Sequence, residues 1–183
     1  MSALKPGGGD ASRFEQMVLP QLDAGYNLAR WLTRNANDAE DVVQDACERA
    51  LKYFAAFRGT DAKAWFLTIV RHACYDWLKR NRPAEIVPGD GQALEEMVDP
   101  SAPTPEQIVA RNASTAALTE AIAALPLGYR EVLILRELEE LPYREIARVA
   151  DIPIGTVMSR LARARALLQR SPVLRAIRER AAL

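Results

Sequence analysis

The sequence is poor in the residues from which most enzyme sites are assembled. Its 183 residues include one histidine, His72, and two cysteines, Cys47 and Cys74, with no CxxC pair, so thiols and imidazoles offer no four-ligand metal set. Both cysteines lie in apolar helical stretches, where a free thiol behaves as a small hydrophobe, and both are expected to be buried structural residues. No glycine-rich phosphate loop is present, and no constellation for acid-base, nucleophilic or nucleotide chemistry can be assembled. The expectation is a protein with no catalytic site, no metal and no cofactor. No apolar run approaches the roughly 18 residues that would span a bilayer. The start, MSALKPGGGDASRF, lacks the apolar segment of a secretory signal. Both absences predict a cytoplasmic chain with no membrane insertion. Strand-like alternation and internal repeats are also missing, which leaves an all-α architecture.

What is present is helical periodicity in separate blocks. After a leader at 1–10, expected to be disordered, residues 11–83 read as helices throughout, with Pro20 bending or dividing the first. Asn37 is a candidate N-cap, with Glu40 three residues on as its capping-box partner. The helix it opens buries Val42, Val43, Ala46, Ala50 and Phe54 and carries an outer acidic stripe of Asp38, Asp41, Asp45 and Glu48. A loop, Phe57 to Lys63, leads to a helix from Ala64 to Arg82 that stops before Pro83. There Trp65, Phe66, Ile69, Val70, Ala73 and Trp77 account for burial. Arg71, His72, Tyr75, Lys79, Arg80 and Arg82 interleave cations with aromatics along the rest, the chemistry that tracks phosphates and stacks on unpaired bases. A solvated helix end is the plainer alternative for these cations.

Residues 84–112 lose periodicity and gain Pro88, Pro100, Pro103 and Pro105, the composition of a flexible linker. The segment is acidic, with Glu85, Asp90, Glu95, Glu96, Asp99 and Glu106 against Arg111 alone. Beyond it, 113–170 forms a second helical domain. Two helices, Ala113 to Leu125 and Tyr129 to Leu138, place Leu118, Ile122, Leu125, Val132, Leu133 and Leu138 to pack beneath the stretch from Leu141 to Leu168. That stretch reads as a helix-turn-helix. Tyr143, Ile146, Ala147 and Ala150 mark one buried face, Asp151, Ile152 and Pro153 interrupt it, and Ile154, Val157, Leu161, Ala164 and Leu168 mark the next. The opposite face of the second helix gathers Thr156, Ser159, Arg160 and Arg163. Arginine suits guanine edges in the major groove, and the hydroxyls suit bases or phosphates. From Thr156 to the end there are seven arginines against one acid, Glu179, ending in a basic tail at 171–183. In a chain of zero formal net charge this segregation marks a phosphate-binding face.

The string from Asp38 to Arg82, the acidic linker and the string from Ala124 to Leu168 together resemble the extracytoplasmic-function (ECF) sigma factors of bacterial RNA polymerase, in the order and spacing of that family. The resemblance covers most of the chain, from Phe14 to Leu168. It implies an initiation factor that binds core polymerase, directs it to promoters, helps open the duplex and is held by an anti-sigma factor until a stress or signal releases it. On matching positions, Asp41, Gln44, Asp45 and Glu48 become contacts to core polymerase. Phe57, Arg58, Lys63, Arg71, Tyr75, Lys79 and Arg80 become the reader of the melted, single-stranded minus-ten element. Thr156, Ser159, Arg160 and Arg163 become the reader of the duplex minus-thirty-five element. The linker would follow the basic RNA exit path. Two departures stand out: Met158 follows GTV where the family often has a cation, and SPVLRAIRERAAL runs past the usual end. The competing reading is a stand-alone helix-turn-helix transcriptional regulator that binds operators without polymerase.

Overall fold

The computed structural model describes residues 8–59, 61–86 and 110–175, apart from the side chains of 8–11 and 110–114. Among the described residues every regular element is a helix: α1 (Gly8–Val18), α2 (Leu22–Thr33), α3 (Ala36–Tyr53), α4 (Ala62–Asn81), α5 (Ala110–Ala123), α6 (Leu127–Glu137), α7 (Tyr143–Ala150) and α8 (Ile154–Arg170). The break after α1 is a short 3-10 turn carrying Pro20, as the missing proline donor requires. Because α1 begins at Gly8, it reaches into the leader expected at 1–10. Residues 1–7, most of the linker (87–109) and the tail beyond 175 lie outside the described residues.

Helices α2, α3 and α4 pack on one another through Leu28, Leu32, Val42, Ala46, Phe66, Leu67 and Val70, all buried. Gly25 is the point of closest approach, since a Cβ there would lie 2.6 Å from the Phe66 ring. The cap of α3 falls on Asn35 and not on Asn37. Arg34 ends α2 in the left-handed region at φ 58°. Asn35 follows in extended conformation, and its side chain accepts from the Asp38 N–H at 3.2 Å. Asn37 lies inside the helix on its exposed side. Val43 is only half-buried, and Ala39 fills the inward position beside Val42.

In the C-terminal half α7 and α8 form the expected helix-turn-helix. Asp151 closes α7 in the left-handed region at φ 53°, its N–H reaching the carbonyls of Ala147 and Arg148. Pro153 immediately precedes α8, where its missing N–H costs nothing. Val157, Leu161 and Ala164 are buried as the spacing predicts, whereas Ile154 at the helix start is exposed. Leu118 and Leu138 are exposed as well, so neither packs beneath the helix-turn-helix. The core beneath it is α6, of which Leu127 and Tyr129 through Leu135 are buried, charged residues included, while Glu137 at its end is exposed. This follows from its position, because α6 packs against α8 and α7 and also against α2 of the N-terminal half, while α4 meets α7. One continuous core joins both halves.

Candidate nucleic-acid interface

Helix α4 is fixed at its start by Asp61, whose carboxylate accepts from the Ala64 N–H at 2.9 Å. Phe66, Leu67, Val70, Ala73, Cys74 and Leu78 bury one face. Arg71 and Tyr75 are neighbours across one turn, the guanidinium 4.3 Å from the ring centroid. Both turn inward. Arg71 Nε donates to Glu131 Oε1 at 2.5 Å, and the Tyr75 hydroxyl donates to Glu131 Oε2 at 3.1 Å. Glu131, in the middle of α6, has 0% exposure. Burial pushes its carboxyl above the ordinary value, against the opposing pull of Arg71, Tyr75 and Arg160. A buried carboxylate persists only when paired in this way.

A second inter-domain clasp lies about two turns earlier on α4. Lys63 Nζ sits 3.0 Å from Glu139 Oε2 and donates to the Glu139 carbonyl at 2.8 Å, while Asn27 Nδ2 donates to Glu139 Oε1 at 3.3 Å. The third involves Arg130, buried beside the end of α5, whose Nη1 donates to the carbonyls of Ala123 and Leu125. Burial, with Arg34 nearby, draws this guanidinium down to about 10, which leaves it charged at neutral pH. Glu85 is its counter-charge, at 3.6 Å, and also bonds Arg34 and lies near Arg82.

The other candidates for single-stranded DNA divide by exposure. Arg58, Lys79 and Arg80 are exposed, with Arg58 resting on the carbonyls of Ala55 and Phe57. Phe57 is a correction: its ring is buried, 4.6 Å from Trp65 and 6.1 Å from Phe54. Its hydrophobic area is larger than a loop can leave in water, and the aromatic cluster takes it in. Trp65 and Trp77 are partly buried against the core, in keeping with a packing role. Arg71, Tyr75 and Lys63, expected to read DNA, each face a carboxylate of the C-terminal domain in this conformation.

On α8 the four candidates divide between exposed and half-buried positions. Ser159 is exposed and its hydroxyl donates to the Thr156 carbonyl at 3.1 Å, Thr156 itself being half-buried. Arg163 is exposed and lies 3.4 Å from the Tyr129 hydroxyl. Arg160 is half-buried over the start of α6, where a Cβ on Gly128 would come within 2.9 Å of its Nη1. Met158 is exposed beside them. Of the acidic set, Asp41, Gln44 and Glu48 are exposed on α3. Asp45 is engaged by Arg49 at 2.7 Å, and Arg49 also reaches Asp76 on α4 at 2.8 Å. Asp41, Asp45, Arg49 and Asp76 line a groove of about 710 Å³ between α3 and α4.

The structure therefore turns Arg71 and Tyr75 to α6 and Lys63 to Glu139 just beyond it, whereas Lys79 and Arg80 share the α3–α4 groove with Asp41 and Asp45. Glu131, Glu139 and Arg130 were not singled out from the sequence. The signal for Glu131 was faint: an acid directly before the apolar run VLIL, with Ile134 and Leu135 one turn on along its own face.

A tri-helical core with a cation- and aromatic-bearing helix, followed by a helix-turn-helix with an arginine-lined second helix, defines a DNA-reading transcription protein. The family described as Sigma-70 region 2 matches residues 17–84, and Sigma-70 region 4 matches residues 115–168. The chain is 32% identical over 181 residues to the RNA polymerase sigma-H factor of Pseudomonas aeruginosa, covering 91% of each protein. It is 31% identical over 169 residues to the ECF sigma-E factor of Escherichia coli, covering 86% of this chain and 85% of that one. The solved structure of the sigma factor RpoE in complex with the anti-sigma factor NepR from Bartonella quintana is similar at a TM-score of 0.66 and 27% identity, over 86% of this chain and 94% of that one. The chain belongs to the ECF sigma factors of RNA polymerase.

Proposed function

We propose that this chain is a cytoplasmic initiation factor whose exposed acidic stripe, Asp41, Gln44 and Glu48 with Asp45, docks on core polymerase. Its α4 reads the melted minus-ten strand through Lys63, Arg71, Tyr75, Lys79 and Arg80 with Arg58, and its α8 reads the minus-thirty-five duplex through Thr156, Ser159, Arg160 and Arg163. The observation that carries this reading is the occurrence of both sigma-70 regions, in order, on one chain. The outward hydroxyls and guanidiniums of α8 support the duplex role, because major-groove recognition is made by side chains on the N-terminal part of such a helix. No helix among the described residues is long and apolar enough to cross a membrane, in keeping with a factor that works beside polymerase. An anti-sigma factor is the proposed regulator, by analogy with the RpoE–NepR complex.

The test is transcription in vitro. Purified chain plus core polymerase is expected to give discrete transcripts from a library of genomic fragments, with neither component sufficient alone. Tight binding of the free chain to specific duplex fragments, with no polymerase-dependent transcript, would establish the stand-alone regulator in its place.

A further inference from the structure

Asp76 is an acid where the reading of DNA calls for none. It lies on α4 between Tyr75 and the pair Lys79 and Arg80, with its side chain 46% exposed. On an isolated helix an acid pairs with cations three and four residues on, which here would engage Lys79 and Arg80. The structure gives it a different partner. Among the described residues it is Arg49 of α3, and neither Lys79 nor Arg80, that pairs with the carboxylate: Arg49 Nη1 donates to Asp76 Oδ2 at 2.8 Å. Lys79 and Arg80 stay exposed on the wall of the same groove. The rest of the guanidinium serves the other face of the molecule. Its Nη2 lies 2.7 Å from Asp45 Oδ2 and its Nε donates to Asp45 Oδ1 at 3.2 Å, a two-pronged grip on an acid of the polymerase-docking stripe. One cation is thus shared by two acids that belong to two different surfaces.

We propose that Arg49 is a positioning residue for promoter recognition: it cancels the charge of Asp76 on the DNA-reading helix, so that Lys79 and Arg80 meet phosphate unopposed, and does so more fully once polymerase takes Asp45 from it. The role rests on the assignment of α4 to the minus-ten strand and of Asp45 to polymerase. An unpaired carboxylate one turn from Lys79 and Arg80 would attract those cations and repel the phosphates they bind, and both effects weaken DNA binding. Held by Arg49, the carboxylate presents a close ion pair, whose field falls off faster than that of a bare charge. When a basic surface engages Asp45, the guanidinium no longer divides between two acids. Docking on polymerase and reading of DNA are then linked through one side chain, and by reciprocity DNA favours docking.

The experiment uses holoenzyme assembled from core polymerase and full-length chains carrying Arg49→Gln, Asp76→Asn or both, with a labelled promoter fragment recovered by transcription from genomic DNA. Fluorescence anisotropy reads promoter affinity, fluorescence titration reads core affinity, and circular dichroism reads helix content. Arg49→Gln is expected to weaken promoter binding about tenfold at low salt, and less as salt screens the unpaired carboxylate. Core affinity should stay within about threefold of the parent, since only a surface pair is lost. Adding Asp76→Asn should restore promoter binding, and Asp76→Asn alone should bind at least as tightly as the parent. This pattern differs from a simple brace between α3 and α4, which is lost with either partner and is not rescued by removing the second. Undiminished promoter binding by Arg49→Gln overturns the proposal, as does a loss that Asp76→Asn fails to repair or itself reproduces. A core affinity that falls in step with promoter binding overturns it too. If Arg49→Gln loses helix content, Asp76→Asn carries the test, and weaker promoter binding by that chain is the refuting result. Lys79→Ala combined with Arg80→Ala tests the underlying reading in the same assay. If that variant loses promoter affinity, a failed rescue removes the role of Arg49 alone. If it binds as the parent does, the assignment of these α4 cations to DNA has fallen as well.

Discussion

Substituting alanine at Gly25 and at Gly155 makes the same chemical change in two helices and is expected to have opposite effects. At Gly25 a Cβ would lie 2.6 Å from Phe66 Cε1 and 3.2 Å from Val70 Cγ2. Both neighbours are fully buried, so the ring has nowhere to retreat and α2 must move off α4. Overpacking a dense core costs about 1–3 kcal/mol, and a ring edge held on all sides belongs at the upper end. Replacing glycine by alanine within a helix returns about 1 kcal/mol. The net expectation for Gly25→Ala is a loss of about 2 kcal/mol. At Gly155 nothing stands within 4 Å of the added carbon, and only the helical gain remains, reduced to about 0.5 kcal/mol by its place in the first turn. Urea unfolding followed by circular dichroism measures both. If the halves unfold in separate transitions, the Gly25 effect belongs to the N-terminal one and the Gly155 effect to the C-terminal one. A Gly25→Ala chain as stable as the parent would refute the claim that this glycine is required for the approach of α2 to α4.

Arg163→Ala should weaken promoter use by about 1–3 kcal/mol if its guanidinium reads a base. Equal loss on every upstream sequence, measured by transcription from a panel of minus-thirty-five variants, would show a phosphate contact instead. Asp45→Lys breaks a surface pair with Arg49 worth less than about 1 kcal/mol, so the chain should stay folded while core polymerase binding, measured by fluorescence titration, falls sharply. Unfolding, or unchanged binding, would count against the docking role of the α3 stripe. Cys74 is buried and its thiol is pushed well above the ordinary value, while the half-buried Cys47 is raised by burial too. Because the thiolate is the reactive form, Ellman's reagent at neutral pH should modify Cys47 slowly and Cys74 only in denaturant. Rapid modification of both in the native chain would contradict the packing of α4.

The elements legible in the sequence were those with strong local signals. The helix-turn-helix boundaries at Asp151 and Pro153, and the inward set Val157, Leu161 and Ala164, follow from periodicity and turn chemistry within one segment. The cap of α3 was assigned to Asn37 from its spacing to Glu40 and falls on Asn35, because the left-handed Arg34 that ends α2 sets where the next helix starts. Leu118, Leu138 and Ile154 were assigned inward by spacing alone and are exposed, because spacing defines a face but not which faces find partners. Phe57 was assigned to DNA by its company of cations, and the Phe54 and Trp65 rings claim it instead.

The sequence by itself determined the helices, their order, the separation of an acidic α3 from an arginine-rich α8 and, through these, the family. Such features are local, set by side chains a few residues apart along the chain. Only the tertiary structure decided that α6 lies between the two halves and is buried through Leu135. That position carries Glu131 to Arg71, 60 residues away, and Glu139 to Lys63, 76 residues away. A charge's partner depends on which surfaces meet, and burial makes that partner obligatory.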